Sequence, residues 1–195
     1  ITDSLPGQDL FVSAFERKIL NGVRGAVDVY KNGILAGTGT AGTITIHTGG
    51  ILAPGLSPGC LTSGNLAIDG GIYRAELGGT TACTGYDQMK ITGTVTLTNE
   101  PVLELSRYNN YKPKAGTTYT IIDNDVAEAI SGTFKGMAEG ATFKVDGYVY
   151  KISYVGGSGN DVVITVVSVP SIPDTGIALI KSNPLATLIG ASVAV

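Results

Sequence analysis

The 195-residue chain holds 28 glycines and no tryptophan, only 15% of its residues are charged, and its net charge is −3. There is no basic stripe, which argues against nucleic-acid binding, and no acidic block of the kind that makes a solvating tail. A hydrophobic fraction of 43% is that of a folded chain. The glycines therefore read as turn residues between short runs rich in Val, Ile, Thr, Leu and Tyr, and the expected class is all-β.

Ile1 opens the chain without a leader peptide, the expectation for a mature or processed form or a fragment. Residues 1–25 form an N-terminal segment in which Phe11, Phe15 and Ile19 recur every four residues beside the charged Glu16 and Arg17. That spacing predicts a short amphipathic helix over Gln8–Leu20, placed to cover the open edge of the first rung of a stack. One more irregular strand is the alternative.

Residues 26–110 carry a repeat in which two alternating apolar positions precede a glycine turn and a second apolar run. The pairs Val27/Val29, Ile44/Ile46, Leu66/Ile68 and Val95/Leu97 occupy equivalent places, as do Ile34, Ile51, Ile72 and Val102. Successive copies lie 17, 22 and 29 residues apart, so the connecting loops lengthen along the chain. A copy of this size has one apolar face that it cannot bury alone. Stacking copies at the strand spacing of about 4.8 Å buries it and makes a short parallel β-helix, a solenoid about 20 Å tall. An antiparallel sandwich is the competing arrangement, because alternation alone does not separate the two.

From residue 111 to 168 the repeat is lost. YTIIDN, TFKGM, ATFKVDGYVYKISYVGG and DVVITVV read as strands joined by short glycine turns, a hairpin-rich C-terminal cap. Residues 169–195 make a proline-containing linker and an apolar tail.

Cys60 and Cys83 fall in the loop insertions after consecutive rungs. Stacking sets such loops side by side, so a disulfide between the two is expected, with two free thiols as the alternative. A metal site needs more ligands than a chain with one histidine supplies, and no metal or cofactor is expected. That histidine, His47, alternates with Ile44 and Ile46 and should point outward from a strand. Asp69, Glu76 and Asp87 are the candidate carboxylates for glycoside cleavage, read more simply as solvated surface acids. Gly156–Ile164, GGSGNDVVI, matches one calcium-binding β-roll nonapeptide in form, but such sites share ligands between repeats. A glycine-rich turn with local hydrogen bonds from Asn160 and Asp161 is the simpler reading. No nucleophile elbow, phosphate loop or dinucleotide fingerprint occurs, and no catalytic residue is assigned.

The ordered string GGILAPGLSPGCLTSGNLAIDGGIYRAELGGTT, YDQMKITGTVTL, YKPKAGTTYTIID, ISGTF and EGATFKVDGYVYKISYVGGSGNDVVITVV resembles the C-terminal rungs of autotransporter-like passenger domains. The resemblance covers roughly residues 42–167. It implies a right-handed parallel β-helix ending in a cap, a stalk that stabilises a surface protein. Downstream, where that family continues into an outer-membrane barrel, this chain has instead Ile172, Pro173, Asp174, Thr175 and Gly176 followed by an apolar run. IPDTG resembles the LPxTG-type sorting signal of wall-anchored bacterial proteins. Together these imply a non-enzymatic, structural or adhesive segment outside a bacterial cell, anchored to wall or membrane through its tail. Its partners would be a ligand on a host or neighbouring cell, or copies of itself. The alternative is an extracellular fibre subunit whose tail inserts into a neighbouring copy.

Overall fold

A computed structural model describes residues 2–3, 7–125 and 127–170. The described chain is all-β. In order its strands are β1 (Thr2–Asp3), β2 (Leu10–Val12), β3 (Arg17–Leu20), β4 (Val23–Val29), β5 (Ile34–Gly37), β6 (Thr40–Ile46), β7 (Ile51–Pro54), β8 (Cys60–Asp69) and β9 (Ile72–Leu77). They continue as β10 (Gln88–Ile91), β11 (Val95–Thr98), β12 (Val102–Arg107), β13 (Thr118–Asn124), β14 (Ser131–Gly132), β15 (Thr142–Val145), β16 (Tyr148–Gly156) and β17 (Asp161–Ser168).

These strands build two sheets, and up to β10 the chain alternates between them. One runs β1-β3-β5-β7-β9-β12; the other runs β2-β4-β6-β8-β10-β13 and on through β17, β16 and β15. β11 continues the second sheet along the far half of β8 and pairs in turn with β14. Every strand pairing among β1–β14 is parallel. The pairings of β13 with β17, β17 with β16 and β16 with β15 are antiparallel.

The register places the repeat's equivalent residues side by side. Val27 pairs with Ile44, Ile44 with Leu66 and Leu66 with Val95; Val29, Ile46, Ile68 and Leu97 form the parallel column two residues on. All eight are buried. The column Ile34, Ile51, Ile72 and Val102 is also in register. It faces outward, however, and Val102 is 37% exposed. The inward column of that sheet is the next residue along: Leu35, Leu52, Tyr73 and Leu103. The core lies between the two sheets, and each large side chain fully buried there stabilises by roughly 1.5–3 kcal/mol.

Four expectations are corrected. Gln8–Leu20 is not a helix: it forms β2 and β3, and Leu10 and Val12 pair with Val27 and Val29 as one more copy of the repeat. Burial falls on Leu10, Val12 and Leu20, whereas Phe11 is 58% and Phe15 87% exposed. The boundary at residue 25 accordingly falls inside β4 and separates nothing. The repeat also outlasts residue 111, since β13 still pairs in parallel with β10. TFKGM, residues 133–137, is a turn that sends Phe134 into the core, its N–H donated to Tyr154 Oη at 2.9 Å.

The four-residue spacing misleads because Phe15 sits at a corner. Phe15, Asn32, Gly49, Gly70 and Asn99 all have positive φ, between 55° and 75°. The N–H of Phe15 donates to Asn32 O at 3.1 Å, that of Asn32 to Gly49 O at 2.9 Å and that of Gly49 to Gly70 O at 3.2 Å. The corner needs a left-handed residue on every rung, which Gly and Asn adopt cheaply and Phe does not. Phe15→Asn should therefore raise the free energy of unfolding by about 0.5–1 kcal/mol, read as a higher urea midpoint. A lower midpoint would show that the exposed ring contributes contacts outweighing its strain.

Candidate functional site

The connection after β9, residues 78–87, is fastened down at two points. Cys83 is disulfide-bonded to Cys60, with the Cα atoms 4.7 Å apart. Cys60 is the first residue of β8 rather than part of a loop, and Cys83 lies in the connection itself. The second fastening is Asp87. Its Oδ1 accepts the N–H of Gly59 at 2.7 Å, and its Oδ2 accepts the N–H of Glu76 at 2.9 Å. The residue is 2% exposed. Burial pushes its carboxyl up to about 7 despite the two amide donors, and the charge of Glu76 adds to the rise.

Asp87 also borders a cleft of about 300 Å³ shared with Arg17, Ser57, Arg74 and Glu76. Arg74 is committed to Glu104 on the neighbouring strand, at 2.9 Å through Nε and 2.8 Å through Nη2. The structure thus brings Glu76 and Asp87 together and keeps Asp69 elsewhere, where its Oδ1 accepts from Thr98 Oγ1 and Asn99 Nδ2 at a corner. With both oxygens of Asp87 committed to backbone amides, its chemistry here is that of a clasp between β8, β9 and the loop.

His47 lies just past β6 and half out of the surface, stacked on Tyr30 with ring centroids 4.6 Å apart. Its Nε2 is 2.7 Å from Asp28 Oδ1. Register explains the cluster: Asp28 and Tyr30 face outward from one rung and His47 from the next. The Gly156–Ile164 segment covers the hairpin turn between β16 and β17 and the start of β17. Asp161 accepts the N–H groups of Asn124 at 2.8 Å and Ser158 at 3.2 Å, and Ser158 Oγ donates to Asn160 Oδ1 at 2.6 Å. These bonds hold the turn and tie it to Asn124 at the end of β13. Among the described residues no group of three or more His, Cys, Asp or Glu is placed to hold a metal ion. Ile172, Pro173, Asp174, Thr175 and Gly176, with the tail that follows, lie outside the described residues.

Sequence reasoning missed a second concavity, of about 560 Å³, where the end of β12, the connection to β13, the β15–β16 hairpin and the end of β17 converge. The only local signal was the pair of lysines in Lys112–Pro113–Lys114. Comparison with known protein families and with curated proteins finds no match to this chain.

Proposed function

We propose that the chain is a right-handed parallel β-helix with a β-hairpin cap, serving as a structural or adhesive stalk segment on the outside of a bacterial cell. The observation that carries this reading is the register: Val27, Ile44, Leu66 and Val95 come from successive copies and sit on adjacent strands. Each turn of chain therefore adds one layer to a common core, an architecture that extends in one dimension. Right-handedness follows the general rule for crossovers between parallel strands. The antiparallel strands β15–β17 lie past β13 and end the parallel stacking on that side. The disulfide suits an oxidising compartment. The resemblance to autotransporter-like passengers and the sorting-like Ile172–Gly176 point to the surface, with attachment through the tail. Asp87 and Asp161 spend their carboxylates on backbone amides, which favours scaffold over enzyme.

Antibody labelling of intact source cells tests the reading. Surface label that protease shaving removes is expected; label seen only after permeabilisation would sink it. The alternative, a fibre subunit, is favoured by the parallel edge strand β2, which has a strand partner on one side only among the described residues. Electron microscopy of the whole chain beside a version ending at Val169 separates the two. Filaments that vanish on truncation indicate a fibre, and separate particles in both samples indicate a stalk.

A further inference from the structure

The second concavity is built by the cap. Asp146 and Gly147 have φ of 49° and 82°, the left-handed pair of a tight two-residue hairpin joining β15 to β16. That turn brings Asp146 against Arg107, the last residue of β12, with Nε to Oδ2 at 3.0 Å. Arg107 Nη1 donates to Tyr111 O at 3.0 Å, and its guanidinium lies 5.0 Å from the centre of the Tyr148 ring. Three separate contacts therefore fix this cation before any ligand arrives, which lowers the entropic cost of binding.

Lys112 and Lys114 complete the charge. Pro113 between them is buried while both lysines are exposed, so the two ammonium stems leave the same side of the chain. Among the described residues neither has a carboxylate within ion-pair distance. The groove thus gathers Arg107, Lys112 and Lys114 against Asp146, a local positive excess in a chain whose net charge is −3. Val169 and Pro170, both exposed, supply apolar wall, and Tyr148, 6% exposed, lies beneath the Arg107 guanidinium.

We propose that this groove binds an acidic polysaccharide, taking the carboxylate of a uronic-acid unit between Lys112, Lys114 and Arg107 with a sugar face against Val169 and Pro170. The volume of about 560 Å³ suits a few sugar units. A carboxylated glycan fits better than a densely charged polyanion, which the net negative charge of the whole chain repels. The sugar supplies C–H faces for the valine and proline walls, which a bare phosphate does not. The proposal names a ligand for the adhesive reading above and rests on it only for where the glycan is met.

Titration calorimetry of the full chain with tetragalacturonate, its methyl ester and inorganic phosphate tests this. Tetragalacturonate should bind with an affinity that weakens as salt rises, and the neutral ester should not bind. Lys112→Gln/Lys114→Gln should weaken binding about tenfold. Both side chains are exposed, so an unchanged urea midpoint is expected and shows that the loss is local. No heat with tetragalacturonate, equal binding of the ester, binding of phosphate alone, or full affinity in the double variant would each overturn the proposal. Cell labelling reads location without any ligand, and calorimetry reads the groove wherever the protein resides, so the two readings fail separately.

Discussion

The free energy of unfolding should fall as pH rises from about 4 to about 7, and Asp87→Asn should remove most of that slope. In the folded chain burial holds the Asp87 carboxyl up at about 7, against an ordinary value of 3.8. Between those values the folded state keeps a proton that the unfolded chain has released, so unfolding releases a proton and is favoured by higher pH. The stabilisation is complete below about 3.8 and is lost as pH rises through about 7. Ionisation in place costs on the order of 4 kcal/mol, about 1.4 kcal/mol for each pH unit of displacement. Asp123 is raised too, by burial first and then by the charge of Asp161, and adds a slope of the same sign. The Asn variant isolates Asp87 from that background. Its amide nitrogen cannot accept, so one of the N–H groups of Gly59 and Glu76 loses its partner, at a pH-independent cost of about 1–3 kcal/mol. The signature is thus a lower but flatter profile of urea midpoint between pH 4 and 7. A variant profile as steep as the parent's would assign the slope to other carboxylates.

What the sequence made legible was the column structure. Val27, Ile44, Leu66 and Val95 could be aligned because each is followed two residues later by another apolar side chain and then by a turn, and a parallel register repeats that pattern on every rung. Leu10 and Val12 obey the same rule 17 residues before Val27 and Val29, but Phe15 at the corner supplied a competing helical spacing. A residue's φ is not written in its side chain, so an aromatic in a left-handed corner reads as an apolar helix position. The parallel strand β13 was hidden by distance: Met89 pairs with Ile122, 33 residues on, and the intervening loops break the period. Neither concavity was legible. Asp87 looks like a surface acid until the loop that carries it folds over Gly59, and the cap groove draws its charges from segments as far apart as Arg107 and Asp146. Local pattern encodes which face a side chain takes. It does not encode which distant loops meet.

Replacing Cys60 and Cys83 together by serine should lower the free energy of unfolding by roughly 3 kcal/mol, the loop-closure term for a cross-link of this span, sequence separation 23. Urea unfolding of the double variant beside the parent reads it directly, and an unchanged midpoint would mean that the cross-link adds nothing to the folded state. The disulfide and the Asp87 clasp hold the same loop to the same place, because Gly59, whose amide Asp87 accepts, immediately precedes Cys60. Their removals should therefore not add: with the disulfide gone, Asp87→Asn should cost a different amount from its cost in the parent. The pH slope separates two ways this can happen. If the loop opens alone in the serine variant, Asp87 becomes hydrated and the slope between pH 4 and 7 disappears while the rest of the stack keeps its midpoint. If the slope survives and the whole midpoint falls, the loop unfolds with the rungs as one cooperative unit, and the disulfide stabilises the stack rather than a local flap.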